Sequence, residues 1–179
     1  MIIGKILAGL LSFSAMLFST FQGNTASFSD ISISQDVSAI VIKTNLVDAF
    51  DNEFEHIFNS GKEIAVCIEL EVRRERVLNE LIVIYNTVCY DPVTKYYLIE
   101  QGTPDNRLIA SNYKEMLIIL SEIEICCNHL KIDNYQFELK AHLEPVILET
   151  FEKEFDVMVL WNYKVPRVTF SYEVKLNEM

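Results

Sequence analysis

The stretch from Lys62 to Glu100, KEIAVCIELEVRRERVLNELIVIYNTVCYDPVTKYYLIE, constrains the fold more than any other part of the chain. Ile64, Val66, Ile68, Leu70 and Val72 recur at every second position, with Glu69, Glu71, Arg73 and Glu75 between them. A spacing of two puts one set of side chains on each face of an extended strand, so this run reads as a half-buried strand. A polar interruption, Arg74 to Glu80, separates it from a second apolar run, Leu81 to Tyr85. Asp91-Pro92 is a turn signal, because Asp bonds back to nearby backbone and Pro fixes φ. Tyr96 to Ile99 then gives a third run, and the whole predicts an antiparallel meander.

The rest of the chain hangs on that meander. Phe28 to Ser34 alternates, and Ala39 to Thr44 is rich in β-branched residues, so both predict strands. Leu46, Phe50, Phe54, Ile57 and Phe58 recur at helical spacing, with Asn45 as cap and Gly61 as stop. A second helix is expected to start at Asn112, where Glu115 stands at capping-box spacing with Ser111 as the rival cap. Met116, Leu117, Ile119, Leu120 and Ile123 carry that helix on until it runs out near Cys127 to Leu130. Asp133-Asn134 turns the chain into Tyr135–Leu143, the cleanest alternation present. Val157 to Tyr163 is a further apolar run ending near Trp161, and Val168 to Leu176 alternates again. One-sided alternation of this kind is the mark of antiparallel sheets with one wet face. The expected class is α+β, mainly β: an antiparallel two-layer sandwich of about eight strands with two amphipathic helices, over residues 28–177 as one domain.

Residues 1–26 read differently. Lys5 precedes a nearly unbroken apolar run, Ile6 to Phe18, followed by small and polar residues through Ala26. That is the layout of a secretory signal peptide cut after Ala26, with an uncleaved membrane anchor as the alternative. Either way the remainder is expected outside the cytoplasm, in the periplasm or cell envelope. The formal net charge is −11, which disfavours nucleic acid and anionic lipid surfaces, whose phosphates want a basic partner. Membrane contact is then expected only through the N-terminal segment, if it is retained.

Chemistry-bearing residues are sparse. Cys67 and Cys89 fall on consecutive strands of the meander. With the connection at Val77-Leu78-Asn79 they lie opposite each other and can form a disulfide; otherwise both are small core residues. Cys126 and Cys127 lack zinc-finger spacing. His56, His129 and His142 stand in no HxxxH or HExxH arrangement, so spacing alone predicts neither a metal nor a cofactor. There is no nucleophile elbow and no Gly-rich phosphate loop, and pairs such as Glu69 with Glu71 or Glu152 with Glu154 read as solvated faces. No catalytic residues are assigned and an enzyme is not expected.

Ser60-Gly61-Lys62-Glu63-Ile64, the strand ending Arg73-Arg74-Glu75-Arg76, and Tyr90-Asp91-Pro92-Val93-Thr94-Lys95-Tyr96-Tyr97 occur in an order that resembles the DUF4390 family of exported bacterial proteins. Tyr90, Thr94 and Tyr97, with Trp161 on an expected late strand, fill the positions of that resemblance. Val77-Leu78-Asn79 stand where the family carries aromatic residues. The resemblance implies export and the extent of the domain, and no chemistry. Tyr90, Tyr96 and Tyr97 form the candidate aromatic segment for binding a partner. The expected function is a non-enzymatic, exported envelope module that binds another envelope protein, by accepting a strand at an open sheet edge. The alternative is a carrier or sensor of an apolar ligand held between the sheet and the helix Lys114 to Ile125.

Overall fold

The computed structural model describes residues 23–36, 39–51, 54–102, 105–128, 130–148 and 153–175. Most of the expected signal or anchor segment therefore lies outside the described residues, as do His129, Glu152 and Leu176. Gly23–Ala26 are part of the fold. Asn24 is buried, and its Nδ2 donates to the carbonyls of Ala49 (3.2 Å) and Asp51 (2.9 Å). A cut after Ala26 would remove those bonds, so the packed domain starts upstream of Phe28.

The protein is mainly β, with antiparallel sheets and two helices, as the alternation predicts. Twelve strands appear among the described residues rather than about eight, because several are very short. Strands β4 (Ile64–Arg74), β5 (Val77–Asp91), β6 (Tyr96–Gln101), β7 (Arg107–Ala110), β9 (Asn134–Leu143) and β12 (Arg167–Glu173) form a six-stranded sheet in the order β12-β9-β4-β5-β6-β7. A smaller sheet is built on β3 (Ala39–Val47), with β1 (Ser27–Phe28) and β2 (Ser32–Gln35) along one side and β8 (Glu122–Asn128) along the other. Strands β10 (Val146–Leu148) and β11 (Lys153–Phe155) make a separate hairpin.

The inner faces meet in one apolar cluster. Ile64, Val66, Ile68, Leu70 and Val72 of β4 join Ile40, Ile42 and Leu46 of β3 and Ile123, Ile125 and Cys127 of β8. Phe50, Phe54 and Phe58 stack edge-on with centroids 5.7–5.8 Å from Phe50, and Trp161 closes the group, its indole N–H donating to the Ala49 carbonyl at 2.7 Å. The stripe of aromatics is thus core, as its spacing implies.

Four expectations give way to the tertiary structure. The first helix, α1, spans only Phe54–Phe58; Asn45 and Leu46 belong to β3, where Ile40, Ile42, Thr44 and Leu46 point inward on a period of two. Leu46 fits either period, and pairing with β1 and β8 decides for the strand. Helix α2 spans Tyr113–Ser121 and stops there. Its cap is shared: Asn112 Oδ1 accepts from the Glu115 N–H (3.0 Å), while Glu115 Oε2 accepts from the Ser111 N–H and hydroxyl (2.7 Å each). The chain then enters β8 at once, with Ile123, Ile125 and Cys127 inward and Glu122, Glu124 and Cys126 outward. The run from Val157 takes a 3-10 turn to Trp161, with Asp156 accepting from the Met158 N–H at 2.9 Å.

The fourth correction concerns register. The β4–β5 hairpin turns at Glu75-Arg76, both with positive φ (49° and 68°), and not at Val77-Leu78-Asn79. Two successive left-handed residues match the right-handed twist of the flanking strands. A bulge at Val72/Arg73 follows, and Cys67 lies across from Tyr85. Cys89 sits four residues further along β5, about 13 Å away at the usual rise per residue. The Cys67–Cys89 disulfide does not form in this register, and all four cysteines are free.

Candidate functional site

The outer face of the six-stranded sheet is divided into two unlike halves. On β4, β9 and β12 the outward positions carry charge. Lys140 Nζ lies 2.6 Å from Glu71 Oε1 and 3.5 Å from Glu138 Oε1. Arg167 reaches Glu138 at 3.1 Å, and Arg73 bonds Glu71 from the other side. Lys140 and Arg73 together hold the Glu71 carboxyl below the usual carboxylate range. These are cross-strand and same-face neighbours, the pairs that stabilise a wet sheet face.

On β5, β6 and β7 most of the same outward positions are apolar, interrupted by the cross-strand row Thr87, Glu100 and Arg107, whose Arg107–Glu100 ion pair is 2.8 Å long. Leu81 (51% exposed), Val83 (42%) and Tyr85 on β5, Tyr96 and Leu98 on β6, and Ile109 on β7 all face solvent. The seam between the halves runs between β4 and β5, where Leu81, Val83 and Tyr85 pair with Glu71, Glu69 and Cys67. The three tyrosines of the candidate aromatic segment do not share a face. Tyr90 and Tyr97 turn inward and pack on each other with centroids 5.0 Å apart, and the Tyr97 hydroxyl donates to Asn59. Only Tyr96 is displayed. The Asp91 turn between them forms as expected, Asp91 accepting from the Val93 N–H (2.8 Å) and the Thr94 hydroxyl (2.7 Å).

Strand β5 is fifteen residues long and β6 only six. β6 pairs with Asn86–Asp91, and a bond from the Gly102 N–H to the Tyr85 carbonyl (2.9 Å) marks where that pairing stops. Among the described residues, Val77–Tyr85 has a strand partner on the β4 side alone. Beside this open edge lies a cleft of about 790 Å3. Ile84, Asn86, Gln101 and Gly102 line it from the large sheet, and Thr44, Asn45, Glu122 and Glu124 from the small one. Asn86 is only 3% exposed, and its Oδ1 has no hydrogen-bond partner among the described residues. A buried acceptor without a donor costs free energy, which a bound group with an N–H or O–H would relieve.

A third feature sits on the charged side of the seam. Cys67 on β4 pairs with His142 on β9, and Glu69 follows two residues later on the same face. One donor atom from each lies within 4.8 Å of the other two. Glu144 holds His142 Nε2 at 3.0 Å. A thiol, an imidazole and a carboxylate in a row are also the parts of a nucleophilic triad. Burial argues against that use: Cys67 is 1% exposed, and burial pushes its thiol up to about 11, so without a cation to displace its proton it presents little thiolate for attack.

The residues that come together here were not legible as spacing. Cys67 and His142 are far apart in the sequence, and β9 lies beside β4 only because the sheet order skips β5 through β8. The alternation of each strand was readable, and it put His142 on the polar set of its strand with Gln136, Glu138 and Lys140.

Among the described residues, fold and surface together define a mainly β, antiparallel domain with a long strand segment, Val77–Tyr85, paired on one side alone, and a partly apolar outer face. No protein-family model matches the chain, and neither a curated protein nor a solved structure matches it.

Proposed function

We propose that this protein is a non-enzymatic, exported envelope module that binds another envelope protein by adding a strand to the open edge of β5. The observation that carries this reading is the Val77–Tyr85 segment, which lacks a partner on one side among the described residues and exposes Leu81, Val83 and Tyr85. An exposed, long, apolar edge is a template for pairing with another chain, and soluble proteins normally blunt such edges with charge, proline or a cover. An added strand would use main-chain hydrogen bonds for affinity and the alternate apolar side chains for selectivity. The N-terminal apolar segment and the resemblance to the exported DUF4390 proteins support the periplasm or cell envelope as its location.

Carriage of an apolar ligand finds less support. The cleft beside β5 is mostly polar, lined by Asp30, Ser32, Lys43, Asn86, Gln101 and Glu122 among others, and α2 packs on the core through Met116 and Leu120. A photo-crosslinking residue at Val83, compared with one at Thr169 on the charged half, tests the proposal in intact envelopes. The expected result is capture of one envelope protein from Val83 alone, with the crosslinks falling on alternate residues of an extended segment. Equal capture from both positions, or none from either while apolar molecules co-purify, would overturn it.

A further inference from the structure

We infer that Cys67, His142 and Glu69 form a divalent-metal site, and that zinc is the ion their donor set fits best. Zinc takes thiolate, imidazole and carboxylate ligands, whereas calcium and magnesium want oxygen alone. Zinc–ligand bonds of about 2.0–2.3 Å put tetrahedral ligand atoms roughly 3.3–3.8 Å apart. The three donors already lie within 4.8 Å of one another, so side-chain rotation of about an ångström brings them onto one ion. The backbone beneath them is fixed. Cys67 and His142 are direct partners in the β4–β9 ladder, and both strands are interior to the six-stranded sheet. Ligands on paired strands are held more closely than ligands on loops.

The surrounding charges leave the site open to a cation. Lys140 is the cross-strand partner of Glu69, yet its ammonium is committed to Glu71 and Glu138. Glu69 has no ion pair among the described residues, and its carboxylate shares a face with the thiol. Glu144 supplies an outer partner. With His142 Nε2 bonded to that carboxylate, Nδ1 is left for the metal, and the ring is held in one orientation. Three protein ligands leave a fourth position on the ion for water. Metal binding here does not depend on the strand-addition reading, since β4 and β9 carry the ligands and β5 carries the open edge.

Cobalt(II) titration of the reduced full chain tests this directly. One equivalent is expected to produce a thiolate-to-cobalt charge-transfer absorption, and added zinc to abolish it by displacement. Cys67→Ser should remove the absorption. His142→Ala should weaken cobalt binding at least about tenfold, and Glu144→Gln, a positioning change, about tenfold. Cys126→Ser should leave the absorption unaltered. No absorption in the wild-type chain, its survival in Cys67→Ser, or its loss in Cys126→Ser would each overturn the assignment. Should Cys67→Ser fail to fold by circular dichroism, the half-exposed positions decide: unaltered binding in both His142→Ala and Glu69→Gln refutes the site.

Discussion

The two halves of the outer sheet face share one backbone ladder and one alternation, yet they are built from opposite chemistry. On β4, β9 and β12, Glu71, Lys140, Glu138 and Arg167 form a connected chain of ion pairs. On β5, β6 and β7 many of the equivalent positions hold exposed apolar side chains, Leu81, Val83, Tyr85, Leu98 and Ile109, broken by the Arg107–Glu100 pair. The inner face permits little such choice, because most inward positions fill the core, with Thr44 and Asn86 as buried polar exceptions at the cleft. Solvent accepts either chemistry on the outer face, so its content is free to serve something other than folding. The exposed apolar row Leu81, Val83 and Tyr85 on one half is therefore informative about binding, while the ion pairs of the other half are accounted for by solubility and cross-strand pairing.

The comparison breaks most easily at the level of stability. Leu70 on the inner face of β4 is fully buried, and Leu70→Ala should cost about 3–4 kcal/mol in urea unfolding. Leu81→Ala on the outer face of β5 should cost less than about 0.5 kcal/mol. Equal losses would mean that the apolar half is covered within the folded chain, and the docking reading would fail with it. Binding comes next in size. Val83→Lys places a charge on the open edge and should reduce crosslinked capture of the partner by about tenfold or more, leaving the unfolding midpoint in place. Thr169→Lys on the charged half should leave capture untouched.

The charged half yields a smaller, pH-dependent signal. Glu71→Gln should cost about 1–2 kcal/mol at neutral pH, since it strips a charged acceptor from both Lys140 and Arg73. The Glu71 carboxyl titrates lower in the folded chain than in the unfolded one. Its stabilisation is thus present above the ordinary carboxylate range and is lost as pH falls through the folded-state value. The gap between wild type and Glu71→Gln should accordingly close in acid; a gap that persists there would assign the loss to packing. The smallest effect belongs to the turn at the seam. Glu75 and Arg76 both sit at positive φ, where Asn-Gly is preferred, and replacing them with Asn-Gly should stabilise the fold by about 0.5–1 kcal/mol, seen as a Tm higher by a few degrees.

Legibility in the sequence followed the same division. Strands with a clean period of two, such as Tyr135–Leu143, were readable because one face is apolar and the other is not. Segments compatible with two periods were not. Leu46 and Ile123 each extend a helical pattern in the sequence and lie on strands in the fold, Leu46 through its pairing with Phe28 of β1 and Ile123 through the β3–β8 ladder. The Asp91 turn was readable from its side-chain chemistry. The Glu75-Arg76 turn was not, since neither residue advertises positive φ. Missing that turn moved the register by four residues, which kept Cys67 and Cys89 on one face but separated them along the strands. Among candidate site residues, Tyr96 is displayed while Tyr90 and Tyr97 are structural, a split the alternation itself contained.

What the chain determines by itself is local: which positions face inward, where Asp91 and Asn112 interrupt the ladder or begin a helix, and the acidity of the surface. Those follow from side-chain period and from hydrogen bonds spanning a few residues. Only the tertiary structure decided which strands lie side by side, and so that Cys67 meets His142, that β5 outruns β6, and that Asn86 is buried with no donor among the described residues. Strand neighbours are chosen by burial of the whole inner face at once, a sum over distant residues that no short window of sequence contains.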